Sequence, residues 1–408
     1  MKLLVFAHVP PPYHGQSYGV QRMLRGFGGN QRKWKWKATA GSAAPFGIEC
    51  YHVNARFSKD IQDIGEFHGG KILLILFYCL QAIWCRFRYG VTNFYYVPAP
   101  GKPIALYRDW LVMLICRPFF KKIIFHWHAA GLAKWLETAV QIRARSFTYR
   151  LMKNADLSIV LSEFNRRDAE KLTARRIAVV SAGVPDPCPQ FAQNTLPRRR
   201  ERVAARKKIL AGAPAGADAP AGIVNVLYLA HCTREKGLFD TVEGVVLANE
   251  RFAAGKSPFR FQLTAIGAFV SSGEERELRE LIVRRGLQNV VECLGFVSEE
   301  RKAQAFAAAD LFCFPTYFPA ESFGVVIVEA MAFGVPIITT RWRSIPEILP
   351  AGYNGLVDPK SPQQIADALE RLAPSDLAES LRELFLQRFT WERHIAGMAD
   401  AIRSIETP

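Results

Sequence analysis

Asp310-Leu-Phe-Cys-Phe-Pro-Thr-Tyr-Phe-Pro-Ala-Glu321-Ser-Phe-Gly-Val-Val-Ile-Val-Glu329-Ala-Met-Ala-Phe-Gly334-Val-Pro336-Ile-Ile-Thr-Thr340 is the stretch on which the reading of this chain turns. Leu311–Phe314 reads as a buried strand, a helical run ends at Gly334 ahead of Pro336, and Ile337–Thr339 is the next strand. A helix is expected to begin near Ser322, whose hydroxyl suits an N-cap. Glu321 then lies in the loop before the helix, and Glu329 about two turns inside it, among Val325, Val326, Ile327 and Val328. The backbone N–H groups of Ser322, Phe323, Gly324 and Val325, with the helix dipole, form an anion site suited to a diphosphate or a developing oxyanion. A carboxylate beside that site repels phosphate, so Glu321 suits sugar hydroxyls and Glu329 a ribose. Taken singly, each also reads as an ordinary surface or loop acid.

Outward from this stretch, short β-branched or aromatic runs alternate with longer amphipathic ones, the pattern of a parallel sheet with crossover helices. In the first half strands are expected at Leu3–Ala7, Asn93–Val97, Ile123–His128, Leu157–Leu161 and Ile177–Val180. In the second they fall at Val224–Leu229, Phe261–Ile266, Val290–Leu294, Leu311–Phe314 and Ile337–Thr339, with helices such as Glu274–Arg285, Glu299–Ala308 and Pro362–Arg371. Between the two sets, residues 186–222 hold the basic run Arg198-Arg199-Arg200 to Lys207-Lys208 and then an Ala/Gly/Pro-rich stretch, Ala211–Gly222. That composition builds no core and reads as a linker, its basic start a solvated helix near a membrane. Two α/β domains joined this way place a ligand cleft at the carboxyl ends of their sheets.

With 408 residues, half of them hydrophobic and 22% charged, the chain is neither disordered nor fibrous. Its longest apolar run, Ile72–Cys85, is interrupted by Gln81, so an ordinary membrane-spanning helix is not expected. Met1-Lys2 leads into a strand-length run and then Pro10-Pro11-Pro12, which reads as a first strand and not as a cleavable leader. The eight cysteines show no CxxC pair and no metal-ligand spacing, so reduced, buried thiols are expected. The net charge of +16 is uneven: residues 1–185 hold 27 Lys/Arg against 10 Asp/Glu, and residues 186–408 hold 26 against 27. A basic first half suits anionic lipid or an acidic substrate. No zinc-finger or RNA-binding signature accompanies the charge, so nucleic acid is not expected as a partner.

Glu321 and Glu329 with seven residues between them, the Ser-Phe-Gly insert and the trailing Glu-Ala-Met-Ala-Phe-Gly-Val-Pro closely resemble the EX7E signature of family 4 retaining glycosyltransferases. Ser344-Ile-Pro-Glu347-Ile, Asn354-Gly355-Leu356-Val357 and Phe389-Thr-Trp391 continue the resemblance, which is strong over 223–408 and looser over 1–185. It implies a GT-B fold, an α/β architecture of two Rossmann-like domains whose parallel sheets face a central cleft. The expected organisation is an acceptor-side domain at 1–185, the linker at 186–222 and a donor-binding domain at 223–385. A C-terminal helix at 386–408 would return to the first domain.

The resemblance also distributes roles. Glu329 would bind the donor ribose, Glu321 would contact the hexose near the reacting centre, and the backbone of Ser322–Val325 would contact sugar or phosphate. Lys236, ahead of Gly237, falls where the family places its phosphate-binding Lys. The family's Arg five residues earlier is His231 here, a weaker stabiliser of a leaving group, with Arg234 a substitute cation. Pro10-Pro-Pro-Tyr-His-Gly15-Gln16-Ser17-Tyr-Gly19 resembles the loop that lets backbone approach the β-phosphate, although Gln16 stands where a second Gly is usual. Alternation puts His126 and His128 on one face of their strand, and His128 better matches the family's donor-facing His. The two histidines alone lack a third metal ligand, and no metal site is expected.

The resulting expectation is a retaining, metal-independent hexosyltransferase without a cofactor, using a UDP- or GDP-type sugar. Its acceptor would be a saccharide, lipid-linked, in surface polysaccharide or glycolipid synthesis. Phe77, Tyr78, Trp84, Phe87 and Tyr89 beside Arg86 and Arg88 suit a bilayer interface, so the location expected is cytoplasmic and peripheral on the inner face of the plasma membrane. A buried core helix accounts equally well for Ile72–Trp84. Two rival readings are a nucleotide-sugar epimerase on the same fold and a non-catalytic protein binding anionic lipid or nucleic acid on a decayed transferase scaffold, the latter hinted at by His231.

Overall fold

Two six-stranded parallel sheets with crossover helices organise the chain in this computed structural model, which describes residues 1–11, 15–32, 44–57, 70–212 and 222–406. One unit comprises Met1–Ala182 with Glu392–Pro408, the other Gly183–Trp391. The first sheet holds β1 (Lys2–Phe6), β2 (Glu49–Val53), β3 (Asn93–Tyr96), β4 (Lys122–His126), β5 (Leu157–Val160) and β6 (Ile177–Val179), in the order β2-β1-β3-β4-β5-β6. Phe6, Phe94, Tyr96 and Phe125 are buried within it, against Cys79, Met113 and Leu136 from helices on its faces. β2 had no expected counterpart, because Glu49-Cys-Tyr-His-Val53 is too short and too mixed in polarity to stand out as a strand.

The second sheet holds β7 (Ile223–Leu229), β8 (Arg260–Ile266), β9 (Val291–Gly295), β10 (Leu311–Phe314), β11 (Ile337–Thr340) and β12 (Leu356–Val357), in the order β12-β11-β10-β7-β8-β9. The strand order reverses between β7 and β10, the position at which an open parallel sheet characteristically forms a crevice beyond the carboxyl ends of its strands. The helix Ser272–Arg284 is capped by Ser271 and the helix Glu299–Ala308 by Ser298, each side chain accepting from the N–H three residues on.

Two segments depart from their expected character. The basic run read as a solvated stretch of linker forms the helix Leu196–Leu210, docked on the second unit. Arg199 is buried and donates to the carbonyls of Phe306, Ala309 and Phe333 at 2.7–2.9 Å. Arg206, also buried, pairs with Asp310 at 2.6 Å. Burial is tolerated because every one of these guanidinium groups meets carbonyls or a carboxylate. Most of the Ala/Gly/Pro-rich stretch, 213–221, lies outside the described residues, as do Pro12–His14 of the first loop.

The helix Gly70–Tyr89 contains an 18-residue stretch, Ile72–Tyr89, long and apolar enough by length and composition to cross a membrane. That stretch takes in Gln81, Arg86 and Arg88, the residues that interrupt and end the longest apolar run. Ile75, Cys79, Ala82 and Cys85 on one side of the helix are buried in the unit's core. The last helix, Trp391–Arg403, joins the first unit from Glu392 onward, where His394 Nδ1 lies 2.8 Å from the carbonyl of Ser181 and Arg176 donates to that of Ser404.

Candidate functional site

The crevice between β7 and β10 is where the second unit gathers charged side chains. The loop after β7 carries His231 and Lys236, and the loop after β10 carries Thr316, Phe318 and Glu321. The two loops are tied together: Tyr317 N donates to the Glu235 carbonyl at 2.8 Å, and Gly237, at φ +84°, lies so close to Pro315 that a Cβ would stand 2.4 Å from its carbonyl oxygen. Glycine is required here by both its conformation and the close approach. Lys236 then extends across the crevice, donating from Nζ to Glu321 Oε2 at 2.7 Å and lying 4.5 Å from the centre of the Phe318 ring. Glu321 is 8% exposed and accepts also from Thr316 Oγ1 at 3.3 Å.

Two residues named as candidates thus meet in one ion pair, although 85 positions separate them. His231 belongs to the same loop; burial first, then the nearby Lys236 ammonium, lowers its pKa, so the imidazole is neutral near pH 7. Arg234, weighed as a substitute cation, is instead engaged by Glu277 and lies over the Phe239 ring at 4.0 Å.

The helix after Glu321 begins at Val325, three residues later than Ser322. Gly324, and not Ser322, is the N-cap, in the left-handed conformation at φ +75°; the Ser322 carbonyl accepts from Ser344 Oγ at 2.6 Å. A serine at an N-cap needs an extended or bridging backbone leading directly into the helix, and the Phe323-Gly324 turn intervenes. Glu329 therefore sits about one turn into the helix and not two. Phe323 has its ring in the core, 6.0 Å from Phe389, so only its backbone faces a ligand role. Of the amides expected at a helix N-terminus, Ser322–Val325, only that of Val325 belongs to the helix, and those of Ser322, Phe323 and Gly324 lie in the turn before it.

Glu329 is held by a residue the sequence did not single out. Lys302, on the helix Glu299–Ala308, donates to Glu329 Oε1 at 3.0 Å and pairs with Glu299 at 2.8 Å. Burial works against the Lys302 charge, but Glu329 and Glu299 outweigh it and raise its pKa. No local pattern marks Lys302, since only packing of its helix beside the Glu329 helix makes the two neighbours.

In the first unit, Gly15 opens the helix Gly15–Gly26, with Gln16 half-buried behind it. That helix passes His128 closely: a Cβ on Gly19 would stand 3.0 Å from His128 Cε1. The rings of His126 and His128 are 4.1 Å apart, on one side of β4. His126 is buried, with Nδ1 2.5 Å from Tyr95 Oη, and burial lowers its pKa far below the ordinary value. His128, one residue beyond the buried Trp127, is only half-buried and so is the more accessible of the two. Among the described residues no three His, Cys, Asp or Glu side chains gather where they could hold a metal ion.

Residues 223–385 match the family model of glycosyl transferases group 1. The D-inositol 3-phosphate glycosyltransferase of Arthrobacter sp. (strain FB24) is 32% identical over 182 residues, 43% of this chain and 42% of that protein. The chain thus matches less than half the length of this curated relative. Among solved structures, sucrose-phosphate synthase from Thermosynechococcus elongatus superposes with a TM-score of 0.67 at 18% identity, covering 100% of this chain and 99% of that one. HepE of Anabaena, in complex with UDP and glucose, gives a TM-score of 0.64 at 19% identity, over 99% and 100%. The family match is confined to residues 223–385, and the two Rossmann-like units with their parallel sheets give the chain the GT-B fold.

Proposed function

We propose that the protein is a retaining glycosyltransferase that moves a hexose-type sugar from a UDP- or GDP-type donor to a saccharide acceptor, lipid-linked, in surface polysaccharide or glycolipid synthesis. The observation that carries this reading is the meeting of Lys236 and Glu321 at the reversal point of the second sheet, in the loop that leads into the helix of Glu329. HepE, of the same fold, is described in complex with UDP and glucose.

On this reading Lys236 exchanges Glu321 for the donor diphosphate, to which a Lys serves as a point charge. The released Glu321 carboxylate is then free to accept from hexose hydroxyls, while Glu329, oriented by Lys302, accepts from the ribose. The amides at Val325 and Val326 and the helix dipole take up charge on the leaving group. The acceptor oxygen bonds to the anomeric carbon on the face from which the diphosphate departs, and its proton passes to the leaving phosphate oxygen. The protein supplies position and charge instead of a covalent nucleophile, and no metal is called for. Cations and amides do that work.

The test is nucleoside diphosphate release from a panel of UDP- and GDP-sugars in the presence of EDTA, with a saccharide acceptor mixture. The wild type should release one nucleotide, and Glu321→Gln should do so at least tenfold more slowly, about 1.4 kcal/mol in the barrier. Equal rates in the two proteins would refute the role given to Glu321.

A further inference from the structure

The helix Gly70–Tyr89 of the first unit carries a second functional surface, on its outward side. At 100° per residue, Leu73, Leu76, Phe77, Leu80, Trp84 and Phe87 fall within one arc of about 100°. All six are exposed, Leu73, Leu80 and Phe87 by 70, 64 and 69%. The opposite arc holds Ile75, Cys79, Ala82 and Cys85, all buried. One helix thus presents two apolar faces, only one of which the fold covers. The outer stripe is about 21 Å long and continues onto exposed Phe119, whose ring lies 6.2 Å from that of Phe87.

Charge identifies what meets this stripe. Residues 70–122 contain eight Lys/Arg and one acid, Asp109. Asp109 is buried and accepts from Tyr96 Oη at 2.6 Å, Ala99 N at 2.9 Å and Arg108 at 2.9 Å, so it offers nothing to a partner. Arg88 and Lys121, both exposed, stand at the end of the stripe where Arg86 ties the helix to Phe119 through its carbonyl at 2.9 Å. An apolar, aromatic-rich stripe bordered by cations complements a leaflet of anionic lipid, with acyl chains meeting the rings and headgroups the guanidinium and ammonium groups. A second copy of the chain would instead bring the same cations against each other.

We infer that this face is a bilayer-docking surface, on which the helix lies in the plane of an anionic leaflet with its inner side still packed on the unit. The inference deepens the lipid-linked acceptor reading and rests on it only for its biological use. The helix does not span, because Ile75, Cys79, Ala82 and Cys85 are held by the core.

The experiment is co-sedimentation of the full chain with vesicles of phosphatidylcholine alone or with 30% phosphatidylglycerol. Wild type should bind the anionic vesicles at low salt, at least tenfold more tightly than neutral ones, and lose most of that binding in 0.5 M salt. L73E/L80E/F87E, three exposed positions, should lose binding more than tenfold. R88Q/K121Q, which leaves the stripe intact, should lose the preference for anionic lipid. No wild-type binding at low salt, or binding by both variants as tight as that of the wild type, would overturn the inference. So would a concentration-dependent wild-type dimer that the triple variant abolishes together with vesicle binding. Stabilisation by UDP and GDP, measured on the same proteins, reports the donor site separately, so failure of one reading does not pass for failure of the other.

Discussion

Asp310→Asn is the most informative single change in the second unit, because Asp310 opens the strand that delivers Glu321 to the crevice. Its carboxylate, 2% exposed, pairs with Arg206 at 2.6 Å and Arg202 at 3.1 Å and accepts from Asn225 N at 2.9 Å. Asparagine keeps an oxygen for Asn225 but removes the charge facing Arg206, itself 3% exposed. Removing one partner of a buried ion pair costs about 3–5 kcal/mol. Arg206 retains the carbonyls of Ile223 at 3.0 Å and Ala373 at 3.4 Å, and these offset about 1 kcal/mol. Arg202 is a third exposed and turns to water at little cost. The expected loss is therefore about 2–4 kcal/mol, or about 5–15 °C in the melting of a unit this size. Because two units need not melt together, hydrogen exchange at Leu311–Phe314 is the cleaner assay: the opening free energy there should fall by the same amount. Arg206→Met completes a cycle, and the double variant should lose at least about 1.5 kcal/mol less than the sum. A loss under about 1 kcal/mol for Asp310→Asn, or simple additivity, would refute the claim that this pair anchors the basic helix to the sheet.

The remaining predictions concern the two candidate sites. Glu329→Ala should weaken nucleotide binding with little effect on the melting of the free protein, and Lys302→Met should weaken it in the same direction by disordering Glu329; titration calorimetry with UDP and GDP measures both, and unaltered affinity in Lys302→Met would remove its positioning role. In the first unit, burial is the leading cause that lowers the pKa values of His52, His126 and His394. The folded state therefore binds fewer protons than the unfolded one below about pH 6.5, so stability is fully present above that pH and declines as pH falls, by up to about 1.4 kcal/mol per pH unit for each histidine. Urea unfolding between pH 7.5 and 5 should show that decline, with a shallower slope in His126→Gln; a flat profile would contradict the burial of these rings.

The sequence disclosed what depends on local pattern. Leu311–Phe314 is a strand because four consecutive apolar residues, three of them large, are bounded by an acid and a proline, and it appears where expected. Glu321 and Lys236 were legible as site candidates from their motif, but their mutual contact was not, because it arises from two loops meeting across adjacent parallel strands. The helix cap was misread by two residues: Ser322 has cap chemistry, yet a left-handed Gly324 decides where the helix begins. Lys302 was invisible, since its partner lies on another helix. The basic helix was read by composition alone, which cannot reveal that the ends of the second unit's strands and helices offer carbonyls and a carboxylate to its arginines. The resemblance to family 4 glycosyltransferases was strongest over 223–408, and the family model of glycosyl transferases group 1 matches 223–385 of that stretch.

The donor site is the central claim, and thermal unfolding with UDP, GDP and ADP and their sugars, without added metal, tests it most directly. One nucleotide series should raise the melting temperature of the wild type by several degrees, since a ligand at 100 times its Kd adds about 2.7 kcal/mol. The same series should leave Glu329→Ala nearly unmoved. If no nucleotide shifts the folded wild type, the crevice between β7 and β10 is not a donor site, and the non-catalytic reading hinted at by His231 takes its place.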